Sequence, residues 1–340
     1  MQFVTCPYCR KGFYIKTIKE EEPFSPKPSD LNIEVFVMAP PFHVDFNIAN
    51  NIWMKELPKE ERKIDKERFM SQWMDLYQVV SADSMILLMP SKPGLQDITF
   101  VNSFVSLYLP SRQDYIIVIS KFKAEGRDGE SEVAKEFLQS FGYHTIQPET
   151  YLEGYPELKL VTIDNDKAIY WGNYGVRTQP ETHDWLMKYY PDDIYIIKSE
   201  VTDEYLYHGD CTFFMLDNEN AMVCTKVVKR KPIRELEKYV NIYSVDKDCA
   251  YMGICNSLKL GTSLVINASN LHRMSKKDKY YDLEVKKNET LEKICNELGI
   301  EVMYLDLSEA MRMGALLSCF ITPLNYPNLI LLPPDLIKKG

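Results

Sequence analysis

The chain has 340 residues, 45% apolar and 26% charged, a globular balance with enough length for a large core and a soft prior of two domains. A net charge of -9 and a pI near 5.3 argue against nucleic acid or an anionic membrane as main partner, because both are bound chiefly through Lys and Arg clusters. The one basic run, "KVVKRK" at 226 to 231, reads as a solvated face. The opening "MQFVTCPYCRKGFY" lacks the uninterrupted apolar stretch of a secretory leader, and no apolar run approaches the roughly 18 residues of a membrane span, so a soluble, cytoplasmic protein is expected.

Eight cysteines without framework spacing fit reduced thiols better than a disulfide scaffold. Cys6 and Cys9 form the one C-x-x-C; structural zinc normally takes four ligands, and with no second pair in the chain a plain terminal appendage is preferred to a metal or redox site. Residues 18 to 30, "IKEEEPFSPKPSD", read as a linker, so 1–30 form an N-terminal hook and linker and 31–340 the main body. From Leu31 the order is a strand "NIEVFVM", a helix "KEERKIDKERFMSQWMDLYQVV", strands "SMILLM", "ITFVNSFVSLYL" and "DYIIVIS", and a helix "SEVAKEFLQSFG". Paired strands "LKLVTID" and "KAIYWG" follow, then helix "PETHDWLMKYY", strands "DIYIIK", "CTFFMLD" and "AMVCTKVV", and helix "IRELEKYV". The last part gives strand "TSLVINA", helix "ETLEKICNELG", strand "IEVMYLDL" and a terminal strand "NLILLPP". Strand pairs separated by single helices, several times over, predict a mixed α/β protein built from similar modules. Neither glycine-rich phosphate loop is present, so nucleotide binding loses its usual support.

Cys319 follows a short helix in "SEAMRMGALLSCFI", and a lone Cys in apolar company is ordinarily a packed core thiol. His208 and Asp210 stand together at the mouth of a strand in "YHGDCTF", and Glu153 sits beside a glycine in "YLEGYPE". A Cys, a His and a carboxylate could serve as nucleophile, general acid/base and orienting group, although spacing over such distances proves nothing by itself.

Seven motifs in order resemble those of the guanidine-modifying enzymes, which include arginine deiminase, dimethylarginine dimethylaminohydrolase and the amidinotransferases, with the arginine dihydrolase branch of cyanobacteria nearest. "MAPPFHVDFNIANNIWM" (38 to 54) is similar to the family's M-C-P-P opening that ends in N-P-W-M, and "GLQDITFVNSF" (94 to 104) to its L-P-D-M-V-F-T-A-N-A. "YLEGYPE" resembles F-E-G-x-G-D, "YWGNYGVRT" (170 to 178) resembles W-A-G-Y-G-F-R-T, and "YHGDCTF" resembles Y-H-L-D-T-C-F. "ICNSL" (254 to 258) resembles A-C-N-A-V, and "LSEAMRMGALLSCFI" resembles L-S-E-F-x-K-x-G-G-x-x-x-C-L-T.

The resemblance implies an α/β propeller, the pentein fold of five ββαβ-like modules about a pseudo-fivefold axis, with the active site in the central channel. It implies Cys319 as nucleophile, His208 as general acid/base, Glu153 as the acid that fixes the imidazole, and Asp210 as a carboxylate that holds the guanidinium. Arg177 matches the family's R-T and would clamp a substrate carboxylate, with a structural ion pair as the other option. Asn51, Asp97, Asn102, Ser103 and Asn256 fall in the matching motifs as further substrate contacts. Ser103 holds the strict register of a family Asn or Asp, with Asn102 beside it. The acid motif ends in Gly154-Tyr155-Pro156-Glu157, and only Gly314 precedes the nucleophile where two more glycines are expected. These departures suggest an altered substrate or weakened catalysis.

The expected activity is Cys-dependent hydrolysis of arginine or a related guanidino compound through a covalent thiouronium, with no metal and no cofactor. An amidinotransferase and a catalytically impaired binding protein are the alternatives. A small guanidino molecule is the expected partner, and a homo-oligomer is left open.

Overall fold

The computed structural model describes residues 2–5, 12–15 and 27–328. Gln2–Thr5 and Gly12–Ile15 pair antiparallel as a separate two-stranded sheet. Cys6 and Cys9, between them, lie outside the described residues, as does the expected terminal strand beyond Asn328.

Among the described residues every other strand belongs to one of five three-stranded sheets, and each sheet repeats one pattern: an antiparallel pair, a helix, then a third strand returning parallel to the second. Phe104–Leu109 and Asp114–Ile119 are followed by helix Asp128–Gln139 and strand Thr145–Ile146. Leu158–Asp164 and Lys167–Gly175 are followed by helix Pro180–Tyr189 and strand Ile194–Val201. Phe213–Met215 and Asn220–Val223 lead to helix Arg230–Leu236 and strand Asn241–Ser244. Leu258–Leu260 and Leu264–Ala268 lead to helix Tyr281–Glu297 and strand Glu301–Leu305.

The fifth sheet joins the two ends of the described body. Thr322–Pro323 pairs antiparallel with Val35–Met38, which after helix Lys66–Val80 is joined in parallel by Met85–Leu88. Asn325 fastens this closure: its Oδ1 accepts from the Val35 amide at 2.9 Å, while its Nδ2 donates to the carbonyls of Leu31 and Ile33 at 3.1 and 2.8 Å.

Local chemistry accounts for these elements. Asn165 and Asp166 take the positive φ values, 47° and 61°, that a two-residue hairpin between right-twisted strands requires. Helix Lys66–Val80 starts where the Asp65 carboxylate accepts from the Arg68 amide at 3.0 Å, and it buries Phe69, Met70, Trp73, Leu76 and Val80 at helical spacing. Val35–Met38 and Phe104–Leu109 are buried at every position, as expected of strands covered on both faces, and so they read as continuous apolar runs.

The structure differs from the sequence reading in instructive places. The helix expected from residue 59 begins at Lys66, because residues 59–61 form a separate single turn before the Asp65 cap. The apolar run 98–109 is a strand only from Phe104. Its first half is bent, with the Thr99 hydroxyl donating to the Ala39 carbonyl at 2.9 Å and Arg127 Nη2 donating to the Phe100 carbonyl at 2.7 Å. Strands Asn241–Ser244 and Leu258–Leu260 are too short to give a periodic signal. Among the described residues no helix is long and apolar enough to cross a membrane.

Candidate active site

The repeated topology gathers two kinds of segment at one place. Segments that precede the first strand of each sheet bring residues 97–102, 153–157, 207–210, 256 and 315–319; segments after the second strand bring Asn50, Asn51, Arg127 and Arg177. They enclose a pocket of about 350 Å3, counting space open to solvent, lined by Asp97, Asn102, Arg127, Arg177, His208 and Cys319 together with Asn50, Asn51, Tyr207 and apolar neighbours. The pairing of His208 with a nearby acid, legible in the sequence only as scattered motifs, is a single contact here.

That contact is centred on Glu153. Its carboxylate is fully buried and takes a bond from His208 Nε2 at 2.8 Å, one from Arg177 Nη1 at 3.1 Å, and the backbone amides of Lys123 and Ala124 at 3.1 and 2.9 Å. Burial alone would raise this carboxyl, but the His208 hydrogen bond and the Arg177 charge outweigh it and hold it down at about 2. An ionised acceptor at Nε2 makes that nitrogen the donor, so His208 is oriented with Nδ1 free of hydrogen-bond partners among the described residues. Glu157 lies 3.8 Å from the same Nε2, and burial followed by the Glu153 and Asp210 charges pushes its carboxyl well above the ordinary range.

Gly154 explains how the acid loop reaches this position. Its φ is +67°, and a Cβ there would stand 2.1 Å from the Asn102 carbonyl oxygen, so only glycine lets the acid loop pass against the Asn102 segment.

Cys319 is 6% exposed and sits on a short turn ahead of Thr322–Pro323. Burial, then the Asp210 charge, pushes its thiol up to about 12. Behind it stands a small polar wall. Asn256 Nδ2 donates to Asp210 Oδ2 at 3.1 Å and lies 3.7 Å from Cys319 Sγ; Ser318 Oγ donates to Asp210 Oδ2 at 2.5 Å; and the Ser318 amide donates to Asn256 Oδ1 at 2.8 Å.

The residues singled out in the sequence therefore divide by position. Cys319, His208, Arg177, Asn51, Asp97 and Asn102 line the pocket, whereas Glu153, Asp210 and Asn256 stand behind it. Ser103 does not line it; Asn102, whose Oδ1 is buried without a partner among the described residues, occupies the inward position. Arg177 is engaged before any ligand arrives, with Nη1 on Glu153, Nη2 on the Asn50 carbonyl at 2.9 Å, and its guanidinium carbon 4.8 Å above the Tyr207 ring. Asn51 caps helix Ile52–Glu56 through the Met54 amide at 2.9 Å and donates to the Met313 carbonyl at 2.9 Å. Gly314 beside Met313 is needed for that fit, since its Cβ would come within 2.7 Å of Asn51 Oδ1.

Sequence reasoning passed over Arg127, Asn50 and Tyr207. Arg127 forms a buried fork on Glu130, and Asn50 Nδ2 donates to Asp97 Oδ2 at 2.6 Å. The only signal was an Arg three residues before a Glu at a helix start, which ordinarily marks a surface pair. Among the described residues no group of three His, Cys, Asp or Glu is placed to hold a metal ion.

No family model matches the chain. The bifunctional arginine dihydrolase/ornithine cyclodeaminase AgrE of Nostoc sp. (strain PCC 7120) is 24% identical over 298 residues, which is 86% of this chain. The N-terminal domain of ArgZ, an arginine dihydrolase from the ornithine-ammonia cycle in cyanobacteria, solved with substrate bound, superposes with a TM-score of 0.71 at 20% identity, over 86% of this chain and 98% of that one. The fold is that of this arginine dihydrolase domain. Dimethylarginine dimethylaminohydrolase shares it at a TM-score of 0.59 and 17% identity, over 86% of this chain and 99% of that one. This chain spans only 38% of the length of AgrE.

Proposed function

We propose that the protein is a Cys-dependent C–N hydrolase acting on arginine or a related small guanidino compound. The observation that carries this reading is the single pocket lined by Cys319, His208 and Asp97, with the imidazole held from behind by ionised Glu153. Solved structures of the ArgZ N-terminal domain, which shares the fold, include one covalently bonded to a reaction intermediate. The five three-stranded sheets are read as blades about a pseudo-fivefold axis with the pocket on that axis, and residues 31–340 as one catalytic domain.

A guanidinium is a delocalised cation and a poor electrophile, so the site must localise its charge and supply a thiolate. Asp97 faces the pocket and offers the charge; its carboxylate is already oriented by Asn50 and by Gln96 Nε2 at 3.1 Å. Asp210 acts one layer further back, through Asn256 and Ser318. Without substrate the Cys319 thiol, at about 12, stays protonated. A substrate cation beside the sulfur opposes that shift and lowers the thiol toward its ordinary range. Binding of the substrate thus generates its own nucleophile.

The Cys319 thiol passes its proton to His208 Nδ1, and the thiolate attacks the central carbon, forming the C–S bond. His208 gives a proton to the departing nitrogen as the C–N bond breaks, and the amine or ammonia leaves with the bonding pair. Water attacks the resulting thiouronium carbon, His208 takes its proton, and the C–S bond breaks to return Cys319 and a ureido product.

The test is product analysis with arginine and with dimethylarginine. Ammonia appearing with citrulline or ornithine supports the proposal. Amidino transfer that requires an added amine would assign the site to a transferase, and no product with any guanidino compound tried would leave a binding protein.

A further inference from the structure

A second cleft lies behind the wall that backs Cys319. Ser318 lines it while Cys319 lines the reaction pocket, so adjacent residues face different cavities. The cleft encloses about 860 Å3, counting space open to solvent, and its walls are largely apolar and aromatic, including Phe36, Phe214, Ile321 and Tyr326.

Its charged groups are unevenly satisfied. Glu34 accepts from the Gly261 amide at 2.9 Å and from Asn328 Nδ2 at 3.0 Å, and Asp217 accepts from the Glu219 amide at 2.8 Å and from Asn220 Nδ2 at 2.9 Å. Both acids are therefore committed. Lys159 is only 9% exposed and, among the described residues, has neither a hydrogen bond nor an ion pair. Its Nζ rests 3.3 Å from the centre of the Tyr155 ring, an aromatic face that also lines the cleft. Lys259, on strand Leu258–Leu260, also lines the cleft and likewise has no ion pair among the described residues. An ammonium on so little exposed a side chain ordinarily sits beside a carboxylate or several carbonyl acceptors. Burial depresses Lys159 to about 8, with the Asp210 charge opposing, which is the behaviour of a cation lacking a close counter-ion.

We propose that this cleft is a binding site for a small organic carboxylate, distinct from the reaction pocket, with Lys159 pairing the carboxylate and the aromatic and aliphatic walls taking the apolar part. Lys159 supplies three donors in a partly desolvated setting where a charge-assisted bond is strong. The carboxylate assignment over phosphate follows from the lining: two ammonium groups beside two carboxylates, Glu34 and Asp217, amid mostly apolar surface, suit a monoanion with a hydrocarbon body better than a compact, strongly hydrated dianion. The site stands independently of the chemistry assigned to Cys319.

The test is calorimetric titration of the full chain with phenylacetate, with 2-phenylethylamine as the same ring bearing the opposite charge, and with inorganic phosphate. Saturable binding of phenylacetate is expected, with no binding of the amine. Affinity should fall at least tenfold in Lys159→Met and stay within twofold in Cys319→Ala. In the wild-type chain, reductive methylation mapped by mass spectrometry should modify Lys159 less when phenylacetate is present, a readout that does not depend on the variant folding. Absence of saturable phenylacetate binding, binding that is lost in Cys319→Ala, phosphate binding as tightly as phenylacetate, or Lys159 methylation unchanged by phenylacetate would each overturn the proposal.

Discussion

Glu153→Gln tests the buried centre of the site. The wild-type carboxylate is met by four donors, and a glutamine must turn its NH2 toward either the two backbone amides or the His208 and Arg177 side, so that one donor faces another. The same conclusion follows from titration. A carboxyl at about 2 in the folded chain and an ordinary 4.5 when unfolded contributes roughly 3 kcal/mol at pH 7. Because the folded value is the lower one, that contribution is complete above 4.5 and is lost as pH falls toward 2; near pH 3 about 1.5 kcal/mol should remain. Urea unfolding of both proteins at the two pH values measures the gap directly. Glu153→Gln should be less stable by about 3 kcal/mol at pH 7, with the gap narrowing on acidification. Equal stability at pH 7, or a gap that stays constant with pH, would refute the ionised, four-donor carboxylate.

Three more predictions follow from the pocket. Cationic chloroacetamidine should alkylate Cys319 far faster at pH 7 than neutral iodoacetamide does, because only the former brings the charge that a thiol near 12 needs; equal rates relative to a free thiol would contradict the substrate-activated nucleophile. Asn102→Ala should raise KM for arginine roughly 10- to 150-fold, the equivalent of about 1.5 to 3 kcal/mol for a charge-assisted bond, whereas Ser103→Ala should change it by less than about threefold; steady-state kinetics that reverse this order would put the inward position at Ser103. Gly154→Ala should impair folding and turnover together, since its Cβ would meet the Asn102 carbonyl at 2.1 Å with φ at +67°; a variant with unchanged melting temperature and kcat would show that the loop can shift freely.

Much of the architecture was legible because strands such as Val35–Met38 and Phe104–Leu109 are buried at every position and read as apolar runs, and because the helices between them carry clear periodicity, as Phe69, Trp73, Leu76 and Val80 do. Strands of three or four residues, such as Leu258–Leu260, were lost because pairing rather than composition defines them. At the site, the motif resemblance singled out His208 and Glu153, and the two side chains meet at 2.8 Å. The residue facing the pocket near position 102 could not be read by register alone, since the bend that turns Asn102 inward is held by Arg127, 25 residues along the chain. Arg127 itself looked like a surface partner of Glu130, and only the fold buries that pair. Lys159 gave no signal at all within "ELKLVTID", where one charged residue on a strand ordinarily faces solvent.

The most direct measurement is rapid-quench mass spectrometry of the full chain mixed with arginine, with the modified peptide mapped. A transient adduct on Cys319 that forms and decays at the rate of turnover, and is absent from Cys319→Ser together with activity, is the predicted result. Steady turnover with no adduct at any stage, and a Cys319→Ser variant that retains it, would contradict the account.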